Sequence, residues 1–196
     1  MRDFRLAGVA LELAARERFA AISVELSSLS NAFSSALLDA TDHWFEHITD
    51  EALLAGVAEP DKAMFAEAAR QRDLDGWVVM LQAPSTSAIM NFAENRQLRF
   101  RVYEASTTRA SDQGSDAGKF DNSERIARIL ELRHEAATLL GYKDPVERSL
   151  ATKMAPSADA ILSFLRDLAA RAKPAAGREF AELQRFAAAD LVQRGG

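Results

Sequence analysis

Residues 11–47 read LELAARERFAAISVELSSLSNAFSSALLDATDHWFEH and contain neither proline nor glycine. Within them Phe19, Ile22, Leu26, Leu29 and Phe33 step by three, four, three and four residues. That spacing lays all five on one face of an α-helix. Leu37, Trp44 and Ile48 continue the stripe with a slight drift, so one helix of about ten turns is expected. Ser27, Ser28, Ser30, Ser34 and Ser35 lower its propensity, and packing of the apolar face must hold it. The stripe is wider than a strict heptad seam, which points to a core-facing helix and not a coiled coil.

Outward from this helix the punctuation is regular. Thr49 is placed to cap a short helix through Asp50 and Glu51, with Gly56 as its stop. Pro60-Asp61 opens a helix over 62–71, and Asp75-Gly76 marks a turn. Residues 77–81 are β-branched and aromatic between Gly76 and Pro84, a convincing strand signal. A strand cannot satisfy its own ladder groups, and no partner is evident in the sequence. It is therefore expected to be an orphan that pairs outside the chain.

Helices are expected over 85–91 and 94–109, the second with Leu98, Val102 and Ala105 inward. A polar loop spans 111–121. Asn122 then caps a helix running through Ile126, Ile129, Leu130 and Leu140, closed by Gly141. Asp144-Pro145-Val146-Glu147 combines an N-cap, a first-turn proline and a third-position glutamate. Ser157 caps a last long helix with Ile161, Phe164, Leu165 and Leu168 on one face. Pro174 is expected to kink or interrupt it. Gly195 and Gly196 are expected to add no packing. The fold class that follows is mainly α, a multi-helix lobe with long helices and one short orphan strand, in a single helical region over 1–196.

Composition narrows the function classes. The chain has 196 residues and a formal net charge of −5, enough length for a sizeable core. Hydrophobic residues reach 48%, yet mean hydropathy is only −0.16. Alanine accounts for the gap: it counts as apolar, contributes little transfer energy and is the best helix former. There is no cysteine, which excludes disulfides, thiolate metal sites and a Cys nucleophile, and fits a reducing, cytoplasmic setting. An isoelectric point near 5.3 speaks against nucleic acid as a partner. No apolar run is long enough to span a membrane, and the first residues lack a signal-peptide pattern.

Three stretches carry residue types suited to chemistry. His43-Trp44-Phe45-Glu46-His47 matches H-x-x-E-H, the inverted zinc-peptidase pattern. On a helix, His43 and His47 would share a face and could reach one metal, with Glu46 as base. No third ligand presents itself, and two histidines near a helix C-terminus also suit the helix dipole. His134-Glu135 begins H-E-x-x-H, but Thr138 stands where the second histidine belongs. The loop with Gly114, Gly118 and Lys119 lacks the spacing, the Ser or Thr and the preceding strand of a phosphate loop. Asp112, Asp116 and Asp121 in the same stretch lack the spacing of a calcium loop. The residues alone support no catalytic, cofactor-binding or metal position.

A chain of landmarks then stands out: Phe33-Ser34, Leu38-Asp39-Ala40-Thr41 and His47-Ile48-Thr49-Asp50, followed by Arg109-Ala110-Ser111-Asp112-Gln113-Gly114 and Asp121-Asn122-Ser123. Ile129-Leu130-Glu131-Leu132-Arg133-His134-Glu135, Leu139-Leu140-Gly141-Tyr142, Ser149-Leu150-Ala151-Thr152-Lys153-Met154-Ala155 and Phe164-Leu165-Arg166-Asp167-Leu168 complete it. In this order and spacing they resemble the oligopeptidase A and thimet oligopeptidase–neurolysin family of zinc metallopeptidases, over essentially the whole chain.

The resemblance implies a largely helical protein, several times longer, whose two lobes flank a deep channel. Its H-E-x-x-H motif and third zinc ligand, a glutamate, lie in the C-terminal half, beyond this sequence. The chain then corresponds to an internal piece of the non-catalytic helical lobe, walling the channel and restricting entry to short peptides. No family ligand maps onto any position here. At His43 the family commonly has a small or polar residue and at Glu46 often lysine, which makes the inverted motif accidental. The implied cofactor is zinc in the intact family and none in this chain. The implied partners are short peptides, with a complementary catalytic half or self-association to cover exposed surface. The alternatives are a non-catalytic helical interaction or peptide-binding module, and an independent zinc enzyme built on His43, Glu46 and His47.

Overall fold

A computed structural model describes the backbone of residues 2–193 and the side chains of residues 3–191. Gly195 and Gly196 lie outside the described residues. The chain is mainly α, with eight helices and one two-stranded antiparallel sheet among the described residues. It divides into two units, Leu13–Arg133 and a second that joins Met1–Glu12 to His134–Gly196.

In the first unit the long helix α2 (Leu13–His43) forms as the apolar spacing requires. Phe19 and Ile22 are buried, Leu26, Leu29 and Phe33 are half-buried, and Ala36 and Ala40 carry the inward face onward. The five serines named above all face solvent. Arg128 ties α2 down, its Nε 2.7 Å from Glu25 Oε1. That carboxylate first, and Glu131 second, hold the Arg128 guanidinium even more firmly protonated than usual.

The helix stops at His43, and here two expectations fail together. Residues 45–48 do not extend α2; they form β1 (Phe45–Ile48). The strand expected to be an orphan, β2 (Trp77–Met80), pairs with it antiparallel, Phe45 opposite Met80 and Ile48 opposite Trp77. Apolar residues at 44 and 48 fit a helical face, so the spacing alone could not separate the two. Pairing decides it: Trp44, Phe45 and Ile48 are good strand formers, and β1 satisfies ladder groups of β2 that would otherwise be buried unpaired.

A 3₁₀ turn, Glu51–Leu54, follows, capped by Asp50 and not by Thr49: Asp50 Oδ1 accepts from Ala52 N at 3.0 Å. Helix α3 (Glu59–Arg70) carries Pro60 in its first turn and buries Phe65, Ala68 and Ala69. Lys62 bridges Glu51 at 3.0 Å and Glu59 at 3.1 Å. Gly76 turns the chain into β2 at φ +84°, where an added Cβ would collide with the carbonyl of Ile48. Helix α4 (Ala83–Phe92) carries Ser85 in its first turn, whose buried Oγ accepts from Met80 N at 2.8 Å and closes the end of β2. Helix α5 (Arg96–Thr107) is capped by Asn95 and buries Leu98, Val102 and Ala105, as the spacing predicts. Ile48, Leu54, Phe65, Val79, Ile89, Leu98 and Val102 form one core beneath the sheet, with Trp44 and Trp77 packed against it.

Helix α6 (Ser123–Leu139) runs across the boundary of the two units. Asn122 occupies the cap position, its carbonyl accepting from Ile126 N at 2.8 Å. Its side chain does other work, donating to the Phe33 carbonyl at 3.2 Å. Asp121 Oδ1 does the capping, accepting from the Ser123 hydroxyl and amide at 2.7 and 2.8 Å. Ile126 and Leu130 are exposed, whereas Ile129, Leu132, Ala136 and Ala137 are buried. The helix closes as expected: Gly141 N reaches Thr138 O at 2.9 Å and Tyr142 N reaches Ala137 O at 3.0 Å, with Gly141 at φ +82°.

The second unit also holds α1 (Arg2–Leu6), α7 (Pro145–Leu150) and α8 (Ala158–Gln193). Asp144 caps α7 by accepting from Glu147 N at 2.8 Å, while Glu147 reaches back to Lys143 N at 2.6 Å. Ser157 Oγ caps α8 by accepting from Ala160 N at 3.1 Å. Pro174 does not interrupt α8. The proline removes one backbone bond, and the exposed Ala170 carbonyl it frees is open to water. Alanine on both sides sustains the helix across the gap.

Candidate functional site

The H-x-x-E-H motif spans the joint between α2 and β1, and that joint takes it apart. His43 is the last residue of α2, while Glu46 and His47 are successive strand residues whose side chains leave opposite faces of the sheet. The shared helical face expected of His43 and His47 does not exist.

Each group is already engaged. Lys119 Nζ lies 2.7 Å from His43 Nε2. An ammonium only donates, so that nitrogen is the acceptor. Asp116 Oδ1 stands 3.6 Å from the same nitrogen, and the ring of Phe120 lies 5.5 Å from the imidazole. His47 Nε2 lies 2.7 Å from the Asp75 carbonyl. A carbonyl only accepts, so that nitrogen carries the proton. Glu46 Oε1 takes Arg101 Nε and Nη2, both at 2.9 Å. Zinc needs three or more free lone pairs converging at about 2.0–2.2 Å. His43, Glu46 and His47 do not fit it. Among the described residues no group of three or more His, Asp or Glu is placed to hold a metal ion.

The other motifs serve the fold as well. His134 is exposed on α6, and its carbonyl accepts from Thr138 Oγ1 at 3.0 Å. The Gly118 amide, which a phosphate loop would turn toward a ligand, donates to Ser111 O at 3.1 Å. Asn122 N closes the same loop onto Ala110 O at 3.0 Å, with Ala110 at φ +51°. Asp121 is held below the ordinary aspartate range, first by the Ser123 hydroxyl and then by the Ser123 amide. Arg109 Nη1 donates to Thr41 Oγ1 at 3.1 Å, joining the start of the loop to α2.

The second unit has a concave region of about 420 Å³ lined by Tyr142, Lys143, Asp144, Glu147, Leu150 and Asp159 among others. Asp144 and Glu147 are spent there on capping α7. Between α2 and α6, Phe33, Ile126, Ile129 and Leu130 line an apolar groove of about 270 Å³. Sequence reasoning missed the cross-links Glu25–Arg128, Glu46–Arg101, Thr41–Arg109 and His43–Lys119. Single charged residues far apart in the chain give no periodic signal, and only the long-range contact makes them a pair.

These features define a helical framework whose polar side chains hold its own elements together. Residues 89–194 match the family model "Peptidase family M3", and the chain belongs to that family. Oligopeptidase A from Escherichia coli is 44% identical over 191 residues, 97% of this chain and 28% of the relative. A probable cytosolic oligopeptidase A from Arabidopsis thaliana is 41% identical over 85% of this chain and 24% of its own length. Dipeptidyl carboxypeptidase from E. coli is 32% identical over 92% of this chain and 26% of its own length. The chain thus spans about a quarter of the length of the curated relatives it matches. No helix among the described residues is long and apolar enough to cross a membrane.

Proposed function

We propose that this chain is a segment of an oligopeptidase A-like zinc peptidase, belonging to the helical lobe that walls the substrate channel, and that it does not cleave peptides alone. One observation carries the reading: 97% of the chain matches only 28% of oligopeptidase A, so nearly three quarters of the relative has no counterpart here. The placement of His43, Glu46 and His47 supports it, because His43 ends α2 while Glu46 and His47 leave opposite faces of β1, so the three do not converge on one metal. In the whole protein the cofactor is zinc, the substrates are short peptides and the setting is the cytoplasm. The metal would polarise a scissile carbonyl and supply a nucleophilic water; this chain's part is to shape the channel.

The test has two arms, both read with a quenched fluorogenic peptide. The purified chain is expected to give no chelator-sensitive hydrolysis. E. coli oligopeptidase A in which this chain replaces the 191 matching residues is expected to hydrolyse the peptide. Chelator-sensitive cleavage by the chain alone would overturn the reading in favour of a zinc enzyme of its own. An inactive but folded chimera would leave a helical interaction module as the better account.

A further inference from the structure

The chain has five lysines, and the groups that face their amines differ. Lys62 bridges the carboxylates of Glu51 and Glu59 at 3.0 and 3.1 Å, and they hold its ammonium more firmly protonated than usual. Lys153 Nζ donates to the Ser149 hydroxyl at 2.6 Å. Lys143 and Lys173 are exposed. Among the described residues only Lys119 meets an imidazole, that of His43, with Nζ 2.7 Å from Nε2.

The difference is chemical. A carboxylate or a hydroxyl holds an ammonium but is too weak a base to take its proton near neutral pH, and imidazole is the side chain best suited to doing so. Nζ only donates, so His43 presents the Nε2 lone pair that receives the proton. Asp116 Oδ1, 3.6 Å from the same nitrogen, offsets the positive charge the ring then gains. The C-terminus of α2, which ends at His43, acts in the same sense. Phe120 flanks both partners, its ring 5.5 Å from the imidazole and 5.4 Å from Nζ. That ring favours the resting ammonium, so release of the amine depends on the imidazole. Lys119 is exposed and the His43 side chain is 45% exposed, which leaves Nζ within reach of a small electrophile.

We propose that Lys119 is a site of Nε-acylation by small activated acyl groups, acyl phosphates or acyl thioesters, with His43 as general base and Asp116 offsetting the charge on its ring. The ammonium passes one proton to His43 Nε2, and the freed lone pair attacks the acyl carbon. The N–C bond forms. The bond from that carbon to the phosphate oxygen or thiol sulfur breaks, and its electron pair leaves with that atom. The nitrogen then loses a second proton to water and becomes a neutral amide, while the imidazolium returns its own proton to water. Nothing is oxidised or reduced.

The experiment incubates the 196-residue chain in separate arms with acetyl phosphate and with acetyl coenzyme A, and follows acetylation of each lysine by peptide mass spectrometry. Lys119 should react about tenfold faster than Lys143 and Lys173, below the usual reach of general-base catalysis because the site is solvated. The arm with the larger preference identifies the donor. His43→Gln keeps a hydrogen-bond acceptor but no base, and should bring the ratio of rates to about one. Asp116→Asn should reduce the ratio about threefold, as suits one screened charge beside the ring. Unfolding the native chain in urea should also erase the preference. Equal rates at the three lysines with both donors overturn the proposal. A preference that survives His43→Gln with unchanged circular dichroism belongs to loop exposure and overturns it too. Should His43→Gln lose helicity, Asp116→Asn decides, and an unchanged ratio in that variant overturns the proposal.

Discussion

Phe65 on α3 and Phe164 on α8 are both helix phenylalanines on the apolar side of an amphipathic pattern, yet Phe65 is fully buried and Phe164 is 66% exposed. Phe65 sits in a core closed by β1, β2, α4 and α5, elements whose residues come from separate stretches of the chain. Phe164 belongs to a helix exposed along most of its length. The pattern that makes a helix amphipathic states which side needs covering. It does not state what covers it, and this chain answers that question for α3 alone.

The sharpest way to break the comparison is truncation. Phe65→Ala should cost about 3–5 kcal/mol by transfer and cavity terms, read by urea unfolding. Phe164→Ala should stay within about 0.5 kcal/mol in the isolated chain. Equal losses would abolish the distinction between the two regions. Pro174→Ala should strengthen α8 locally by about 3 kcal/mol, since proline is that much worse than alanine inside a helix. Hydrogen exchange reads this as roughly a hundredfold slower opening of amides near residue 174, with no change at α3. Gly76→Ala should cost about 1–3 kcal/mol, because the positive φ and the Ile48 carbonyl both oppose a Cβ. Circular dichroism melts would register it as loss of the first unit, and an unaltered melt would show the turn to be pliable.

The smallest effect is a pH dependence. Asp121 is held ionised below its ordinary range by Ser123. A carboxylate with a depressed folded value contributes stability that is in place above its unfolded value near pH 4. That contribution is lost as pH falls through the folded value. The stability difference between the native chain and Asp121→Ala should therefore be constant from pH 7 to about pH 5 and shrink below about pH 4. A difference that stays constant into acid would show that charge on Asp121 contributes nothing.

Much of the fold is legible because its signals are local. The inward face of α5, the Gly141 closure, the Asp144-Pro145-Val146-Glu147 start and the Ser157 cap each depend on residues within one or two turns. The candidate site was legible only as a set of motifs. His43-Trp44-Phe45-Glu46-His47 has the right letters for a metal, but it crosses from a helix to a strand, and the change of period separates its members. Where a contact is non-local, as for Asn122 with Phe33, the letters carry no trace of it.

By itself the amino-acid order determined which segments are helices, which faces of them are apolar and which family the chain resembles, because periodicity, capping and landmark spacing act over short distances or survive as pattern. Tertiary structure alone decided that α2 ends at His43, that β2 has a partner within the chain and that His43, Glu46 and His47 are bound to Lys119, Arg101 and Asp75. Those outcomes turn on competition between helix and strand for the same residues. Backbone pairing with a segment some thirty residues away settles that competition, and no local propensity encodes it.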